Sequence, residues 1–299
     1  MKVIIDKGAG FCWGVVRAVD FAQNELKTSP KVYSLGDIIH NTAEVKRLNA
    51  LGLETVTVAD FPKLEKGSKI LIRAHGEPPS TYSEALKYGL EIIDATCPVV
   101  TKVQERIRKF HLKGFQILIF GKKDHAEVIG LKGVTNGDAK IIKNLEEALQ
   151  VTDFSKPTVL FSQTTMDKSD FAVIAAKLRE KIQEFVVDTM ENQAAEFHAK
   201  DTICGQVSGR EKKLREFAQT MDVIVFAAGK KSSNGKVLFN ICKEENPRTY
   251  FIEEKNELQK EWFEGVQSIG ITGATSTPHW LMSDIKNEIE LNYLQTEVF

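Results

Sequence analysis

The stretch GFCWGVVRAV, residues 10–19, places a cysteine between a short apolar segment and the start of a predicted helix. The same setting, C-x-x-V followed by a stretch of basic and apolar residues, occurs again at Cys97 and at Cys204. A local pattern that recurs at long, similar intervals indicates a structural repeat. The cysteines Cys12, Cys97 and Cys204 therefore predict a chain built from three similar units.

Two further polar markers support this repeat. The residue 28 positions after each cysteine follows an apolar run and a glycine, and these residues are His40, His125 and Ser232. A third marker follows later apolar runs, 63, 67 and 72 positions after the cysteines, and comprises His75, Thr164 and Ser276. Matching spacings in all three units are hard to reconcile with chance, which strengthens the prediction of a threefold repeat.

Short apolar runs alternate with amphipathic stretches along the whole chain. This alternation predicts strands followed by helices, and hence an α/β fold with mostly parallel sheets. The predicted strands are Val3–Ile5, Ile70–Ile72, Ile92–Ile93, Ile117–Phe120, Thr158–Phe161, Phe185–Val187, Val223–Phe226 and Ile269–Thr272. The clearest predicted helices are Val100–His111, Asp170–Ile182 and Glu211–Thr220.

We expect three α/β domains around one axis, at residues 1–95, 96–192 and 193–299, with residues 1–13 packing either at the centre or with the third domain. In open α/β sheets, ligands bind outside the carboxyl ends of the strands. This arrangement would bring one cysteine and two polar side chains from each domain to a common centre. That centre is the predicted functional site.

Composition and charge exclude several classes of protein. The chain has 42% hydrophobic and 27% charged residues, and a formal net charge of −1 gives no sign of a nucleic-acid partner or an anionic membrane surface. Its longest apolar runs are far shorter than the roughly 20 residues of a membrane helix. The first residues, MKVIIDKGAG, do not resemble a secretory signal. We therefore predict a cytoplasmic protein without nucleic-acid or membrane partners.

Three converging cysteine thiolates would suit a soft metal or a cluster. One candidate is a catalytic zinc ion with three protein ligands, because it leaves a position open for water or substrate. The other is a 4Fe-4S cluster, in which three cysteines would leave one iron free to bind a substrate oxygen. The fourth cysteine, Cys242 in LFNICKEEN, lies outside the repeat, and we expect it to be a small buried hydrophobe.

The polar markers favour a small anionic substrate. Histidine, serine and asparagine side chains at strand ends can donate hydrogen bonds to phosphate oxygens, as can the N–H groups at the start of the following helices. So many donors suit a diphosphate better than a single carboxylate. The candidate substrate-binding residues are His40, His75, His125, Ser232, Ser233, Asn234 and Ser276.

Breaking a C–O bond at this site would need a proton donor. Glu127, two residues after His125 in the sequence HAEV, is the best candidate. Burial beside an anionic substrate should raise the proton affinity of its carboxyl. Thr164, in the sequence SQTT, could relay or orient that proton through its hydroxyl.

Together these residues resemble the 4-hydroxy-3-methylbut-2-enyl diphosphate reductase family, which acts in the last step of the methylerythritol phosphate route to isoprenoids. The motifs that carry the resemblance follow one another in order along nearly the whole chain. They are GFCWGV at 10–15, IIHN at 38–41, RAHG at 73–76, DATCPVV at 94–100, HAEV at 125–128, SQTT at 162–165, DTIC at 201–204, SSN at 232–234 and TSTP at 275–278.

The resemblance implies a trefoil of three α/β domains around a central iron–sulfur cluster. The cluster would be of the 4Fe-4S type, one per chain, with one iron not ligated by the protein, and its ligands would be Cys12, Cys97 and Cys204. The implied catalytic residues are Glu127, Thr164 and His125. Thr164 would also bind substrate, together with the histidine, serine and asparagine residues named above.

The implied reaction is a two-electron, proton-coupled removal of the substrate hydroxyl, which gives isopentenyl diphosphate and dimethylallyl diphosphate. Reduced ferredoxin or flavodoxin would supply the electrons. The residues also leave open a three-cysteine zinc hydrolase of a phosphorylated small molecule, and a cluster protein that only passes electrons. The chain departs from the family pattern at Ala126, at Lys231 and in QVSGRE after Cys204, but the three cysteines and Glu127 are in place.

Overall fold

The computed structural model describes residues 1–189 and 196–293 of the 299-residue chain, and within these ranges strands alternate with helices. The strands are β1 (Lys2–Ile5), β2 (Val32–Leu35), β3 (Leu53–Val56), β4 (Lys69–Ile72), β5 (Glu91–Asp94), β6 (Gln116–Phe120), β7 (Lys140–Ile142), β8 (Thr158–Ser162), β9 (Phe197–Ala199), β10 (Val223–Ala227), β11 (Thr249–Ile252) and β12 (Ser268–Gly273). The α-helices are α1 (Trp13–Thr28), α2 (Thr42–Ala50), α3 (Pro79–Lys87), α4 (Pro98–Leu112), α5 (Ala126–Gly133), α6 (Leu145–Val151), α7 (Lys168–Thr189), α8 (Gly205–Ser208), α9 (Glu211–Gln219), α10 (Ser233–Glu245) and α11 (His279–Asn292). In this described part of the chain, no helix is both long enough and apolar enough to cross a membrane.

The strands form three four-stranded sheets with the same internal order. The orders are β3-β2-β4-β5, β7-β6-β8-β9 and β11-β10-β12-β1. If β1 is counted as the fourth strand of the last sheet, each sheet repeats the order second, first, third, fourth. The strand pairs with a defined register are parallel. The predicted α/β fold class with parallel sheets is thus confirmed.

The first strand of the chain belongs to the last sheet. β1 pairs with β12, so that Val3 lies opposite Ile269 and Ile5 lies opposite Ile271. The N–H of Asp6 also donates to the carbonyl oxygen of Ile271 at 2.8 Å, which extends the ladder beyond the strand. The first and the last strand of the described chain are therefore joined in one sheet.

Two of the inner strands, β8 and β10, are buried along their whole length. All residues of β8, TVLFS, and of β10, VIVFA, are buried. Short, continuously apolar runs rich in β-branched and aromatic residues are typical of parallel strands covered on both faces. Phe161 and Phe226 are fully buried, and a large apolar side chain in such a position stabilises the fold by roughly 2–3 kcal/mol.

One predicted strand is wrong, because Phe185–Val187 lies inside α7. Buried apolar residues recur along this helix at helical spacing, and they are Phe171, Ile174, Leu178 and Ile182. Phe185 continues this spacing three residues further on. A short apolar run by itself does not distinguish a strand from a helix, whereas the longer periodicity does.

Two compact units can be distinguished in the chain. The first comprises Met1–Val32, Gly36–Thr55 and Gly205–Phe299, and its core contains Val225 and Ile271. The second comprises Tyr33–Leu35 and Val56–Cys204, and its cores contain Ile119, Leu160 and Ile72. The division into three domains at residues 1–95, 96–192 and 193–299 stays a prediction.

Candidate active site

The predicted site residues lie where parallel strands end. Among the described strands, nine are followed within a few residues by a cysteine or by a polar marker. The pairs are β1 with Cys12, β2 with His40, β4 with His75, β5 with Cys97, β6 with His125, β8 with Thr164, β9 with Cys204, β10 with Ser232 and β12 with Ser276. Because ligands of α/β proteins bind at the carboxyl ends of strands, each residue lies in a position suited to a binding site.

Each of the three cysteines is held by the same main-chain contact. In each case the cysteine N–H donates a hydrogen bond to a carbonyl oxygen in the loop that carries the later marker, which is His75, Thr164 or Ser276. The acceptor is either the marker residue or the residue just before it. The three bonds are Cys12 to Thr275 at 3.0 Å, Cys97 to Ala74 at 3.0 Å and Cys204 to Thr164 at 2.8 Å. The backbone of each cysteine is thus fixed to a loop that carries a predicted substrate-binding residue.

The chemistry of these cysteines fits a metal cluster. All three are partly buried, none belongs to a disulfide within the described residues, and each directly precedes a helix. Cys12 and Cys97 are the N-caps of α1 and α4, so each lies at the positive end of a helix dipole, where an anionic ligand is favoured. Partly accessible thiolates are the ligands that iron–sulfur clusters and zinc require.

Cys242 differs from the other cysteines. Its side chain is fully buried in an apolar cluster with Leu214, Phe226 and Leu238. Burial raises the pKa of the Cys242 thiol to about 12, so it stays protonated at neutral pH. The prediction that Cys242 is a small buried hydrophobe is confirmed.

Glu127 and Thr164 form a buried pair in the second unit. The N–H of Thr164 donates to Oε1 of Glu127 at 2.7 Å, and its hydroxyl donates to Oε2 at 2.7 Å. Glu127 is 1% exposed and Thr164 is 7% exposed. Burial raises the pKa of Glu127 to about 7, although the two hydrogen bonds from Thr164 act in the opposite direction. Such a carboxyl can hold a proton at neutral pH and donate it.

His125 lies at the N-terminus of the helix that carries Glu127. Its Nδ1 accepts a hydrogen bond from the N–H of Glu127 at 3.2 Å and so caps α5. In a neutral imidazole one nitrogen accepts and the other carries the proton, so the proton of a neutral His125 lies on Nε2. The ring of His75 lies edge-on to that of His125, with ring centroids 5.3 Å apart. Two of the predicted substrate-binding histidines are therefore brought together.

Gln163 connects the loops that carry His125 and Thr164. The sequence alone did not indicate Gln163 as a site residue. It is fully buried, its Oε1 accepts from the N–H of Lys122 at 3.0 Å, and its Nε2 donates to the hydroxyl of Thr165 at 2.7 Å. These bonds connect the loop before His125 to the loop that holds Thr164. The only available signal was its place inside SQTT, because the role depends on two loops that are distant in sequence.

The serine and asparagine markers lie together in the first unit. Ser232 caps α10 by accepting from the N–H of Gly235 at 3.0 Å, and its hydroxyl oxygen is 3.3 Å from that of Ser276. Nδ2 of Asn234 donates to Oγ1 of Thr275 at 2.7 Å. The buried members of this group are Ser232, Ser233, Asn234 and Ser276. Among the described residues, the buried Oδ1 of Asn234 has no hydrogen-bond partner. An unpaired buried polar atom is costly, which favours a polar ligand at this place.

The loop that carries His40 touches the loop before Ser232, also within the first unit. A Cβ at Gly229 would lie only 2.1 Å from the carbonyl oxygen of His40, so only glycine fits at that position. Beside His40, Asn41 caps α2 by accepting from the N–H of Glu44 at 3.0 Å. This close approach gives a physical reason for the glycine that precedes the marker.

The structure brings the candidate residues together in two groups. In the second unit, Glu127 contacts Thr164, and His75 contacts His125. In the first unit, the loop around Thr275 contacts both Cys12 and Asn234 and leads to Ser276. The meeting of the three cysteine sulfurs at one centre, and the role of each site residue, stay predictions.

Comparison with known proteins identifies the family. A family model described as LytB protein matches residues 3–290. The chain belongs to the LytB family. The match covers the motifs from GFCWGV to TSTP, so the family resemblance indicated by the sequence is confirmed.

Relatives of this family are similar to the chain over nearly its full length. The chain is 46% identical over 308 residues to a 4-hydroxy-3-methylbut-2-enyl diphosphate reductase of Chloroherpeton thalassium, with 98% of each chain covered. A solved structure of (E)-4-hydroxy-3-methyl-but-2-enyl diphosphate reductase, the terminal enzyme of the non-mevalonate pathway, has a TM-score of 0.72 and 35% identity, and the match covers 96% of this chain and 98% of that one. The E-1-hydroxy-2-methyl-but-2-enyl-4-diphosphate reductase from Plasmodium falciparum has a TM-score of 0.84 and 26% identity, with 97% and 89% covered.

Proposed function

We propose that the chain catalyses the reductive removal of the hydroxyl group of 4-hydroxy-3-methylbut-2-enyl diphosphate, the last step of the methylerythritol phosphate route. The products are isopentenyl diphosphate and dimethylallyl diphosphate. Full-length similarity to reductases of this name is the observation that carries the proposal. The same similarity favours a reductase over the zinc hydrolase that three cysteines alone leave open.

Cys12, Cys97 and Cys204 would hold a 4Fe-4S cluster, one per chain, with one iron not ligated by the protein. The support is chemical, because these three are partly buried thiols before helices while Cys242 is fully buried. When bound, the cluster supplies electrons and a Lewis-acidic iron to the substrate hydroxyl. Reduced ferredoxin or flavodoxin would deliver the electrons in the cytoplasm.

The diphosphate would be bound by a set of neutral donors at the strand ends. Hydrogen bonds from such donors to charged oxygens contribute about 1.5–3 kcal/mol each. His125 would donate through Nε2, because its Nδ1 is engaged in the cap of α5. The proposed diphosphate ligands are His40, His75, His125, Thr164, Ser232, Ser233, Asn234 and Ser276.

Glu127 would supply the proton that leaves with the hydroxyl. Its carboxyl is oriented by the two hydrogen bonds from Thr164 and has a pKa of about 7. In the balanced reaction, two electrons and two protons are taken up, the C–O bond breaks, a C–H bond forms and one water leaves. Protonation at one or the other end of the allylic unit accounts for the two products.

Anaerobic purification tests the cluster assignment. We expect a brown protein with about four irons per chain, as one 4Fe-4S cluster requires. Addition of the diphosphate substrate should change the spectrum of the cluster, because the iron without a protein ligand is where the hydroxyl would bind. A colourless, zinc-containing preparation with full activity would contradict the assignment and favour the hydrolase. An unchanged spectrum would favour a protein that only passes electrons.

A pair of cysteine variants tests the ligand set. Cys97→Ser should lose most of its iron, because a proposed ligand is removed. Cys242→Ser is the matched control, and it should keep the iron content of the wild type since the Cys242 thiol is fully buried in an apolar cluster. Loss of iron in Cys242→Ser, or its retention in Cys97→Ser, would show that the ligand set is wrong.

A further inference from the structure

A buried ion pair in the first unit has no role in the proposed reaction. Nη2 of Arg210 lies 3.2 Å from Oδ2 of Asp6 and donates to the hydroxyl of Thr272 at 3.0 Å. The same hydroxyl donates to Oδ2 of Asp6 at 2.8 Å. The two charged side chains are only 7% and 11% exposed. Burying two charges costs solvation energy that their mutual attraction often fails to offset, so stability alone is a weak reason for the pair.

Asp6 shapes the segment that leads to Cys12. Its Oδ1 accepts from the N–H of Gly8 at 2.8 Å, and its carbonyl oxygen accepts from the N–H of Ala9 at 3.0 Å. The chain then passes through Gly10, whose φ of +120° lies in a region that side chains rarely adopt. The carboxylate of Asp6 therefore directs the chain from the end of β1 towards the cysteine.

Arg210 and Thr272 both contact the carboxylate of Asp6, and so hold the segment that follows β1. Thr272 lies on β12, three residues before Thr275, whose carbonyl oxygen accepts from the N–H of Cys12. Arg210 lies between α8 and α9, and its side chain joins the ends of β1 and β12. Among the described residues, Nε and Nη1 of Arg210 have no hydrogen-bond partner. The guanidinium is therefore held in place by Asp6 and Thr272.

We propose that Asp6 and Arg210 form a positioning pair for Cys12, which fixes the Cys12 loop in the conformation that ligates the cluster. This inference rests on the proposed function, because that function assigns Cys12 to the cluster. The pair acts through the loop and does not contact substrate. Substitution of a residue that orients a metal ligand commonly lowers the metal affinity by roughly 10- to 100-fold.

Two charge variants of the full chain test the pair. Asp6→Asn removes the negative charge and keeps the shape, and Arg210→Lys keeps the charge but loses the planar fork. Both, purified without oxygen, should release iron to a chelator roughly 10- to 100-fold faster than the wild type, and their cluster reduction potentials should shift. Arg215→Gln is the matched control, because Arg215 forms surface ion pairs with Glu211 and Glu245 in and near α9. Its iron release and potential should not change.

Thr272→Val keeps the test decisive if a charge variant fails to fold. It removes one hydroxyl from the same network without changing any charge, and it should also release iron faster than the wild type. The combined Asp6→Asn/Arg210→Lys variant should release iron no faster than the worse single variant, because the two residues act as one unit. Fully additive effects would contradict the pair.

The possible outcomes separate this inference from the function on which it rests. If the wild type holds a cluster and the Asp6, Arg210 and Thr272 variants lower only the unfolding temperature, with iron release and potential unchanged, the pair is merely structural and the inference is overturned. If the anaerobic wild type holds no iron, the proposed function itself is overturned.

Discussion

Two buried glutamates lie in corresponding helices of two sheets, in each case the helix that follows the first strand of the sheet. Glu44 lies in α2, which follows β2, and Glu127 lies in α5, which follows β6. Each is 1% exposed, and the N–H of each donates to the side chain that caps its helix. Their partners differ. Glu44 accepts from Nε of Arg47 at 2.8 Å and from Nε1 of Trp280 at 2.7 Å, whereas the carboxyl of Glu127 accepts from the uncharged groups of Thr164.

The difference shows what decides the role of a buried carboxyl. Burial disfavours the charged form, and a neighbouring cation favours it. Glu44 has the guanidinium of Arg47 beside it and anchors α2 as an ion pair. Among the described residues, the carboxyl of Glu127 accepts from the neutral groups of Thr164, and burial raises its pKa to about 7, a value suited to the proposed proton donor. The same residue type at the same depth therefore forms an ion pair in one helix and a hydrogen-bonded pair with a neutral side chain in the other.

The largest expected effect is on catalysis. Glu127→Gln should lower kcat/KM by about 10³-fold, because it removes the proton donor while keeping the shape of the side chain. Substrate binding, measured by the change in the cluster spectrum, should persist. Glu44→Gln is the matched control and should keep kcat/KM within about threefold, since Glu44 contacts Arg47 in its own helix and Trp280 in α11 and has no part in the proposed reaction. Near-normal turnover in Glu127→Gln would remove Glu127 from its role.

The second effect is on the pH dependence of stability. The pKa of Glu127 rises from 4.5 to about 7 on folding, so the folded state binds this proton more tightly than the unfolded state. The free energy of unfolding should therefore fall as pH rises from about 4.5 to about 7, by roughly 3 kcal/mol from this group. Urea unfolding of wild type and Glu127→Gln across this range measures the difference. Parallel pH profiles for the two proteins would contradict the raised pKa.

The third effect should fall on stability without affecting chemistry. Arg47→Met leaves the buried carboxylate of Glu44 without its cation, and we expect a loss of about 2 kcal/mol in the free energy of unfolding. This figure lies below the range for fully buried pairs because Arg47 is 35% exposed. The urea midpoint reports the loss, and kcat of the folded enzyme should stay at the wild-type value. A lower kcat with an unchanged midpoint would mean that the two glutamates do not differ as described.

The smallest effect concerns the hydroxyl that orients Glu127. The hydrogen bond from the Thr164 side chain lowers the pKa of Glu127, so Thr164→Val should raise that pKa further. Because the protonated form is the donor, kcat/KM falls above the pKa of Glu127, and in this variant the fall should begin at a higher pH. Loss of orientation should also lower the maximum by about tenfold. Thr164→Ser keeps the hydroxyl and should retain the wild-type profile.

Much of the fold could be predicted from short apolar runs, because the central strands are buried on both faces. β4, β6, β8, β10 and β12 all coincide with predicted runs. The edge strands β1 and β5 were predicted, whereas the edge strands β3, β7, β9 and β11 were not. These four are short and partly exposed, as in β3, where Glu54 and Thr55 face solvent. The error at Phe185 arose where a helical periodicity ended in an apolar triplet.

The part of the candidate site that could be predicted consists of the cysteines and polar markers, because these residues recur at similar spacings along the chain. The cysteines and polar markers occur at strand ends, so their order along the chain indicates where each lies. The bonds of Gln163 to Lys122 and Thr165, and the pairing of Arg210 with Asp6, could not be predicted. They depend on tertiary contacts between distant segments, for which the local sequence carries no periodic signal.

The pairing of β1 with β12 has a consequence for biosynthesis. Asp6 and Thr272 are hydrogen-bonded although 266 positions separate them, so this contact closes a very long loop and forms late. The segment with Cys12 is synthesised long before β12, the strand that neighbours β1 in the sheet. A truncated polypeptide that lacks β12 and the loop after it cannot form the hydrogen bond from the N–H of Cys12 to the carbonyl oxygen of Thr275, so the backbone of this cysteine stays unanchored until that segment is made.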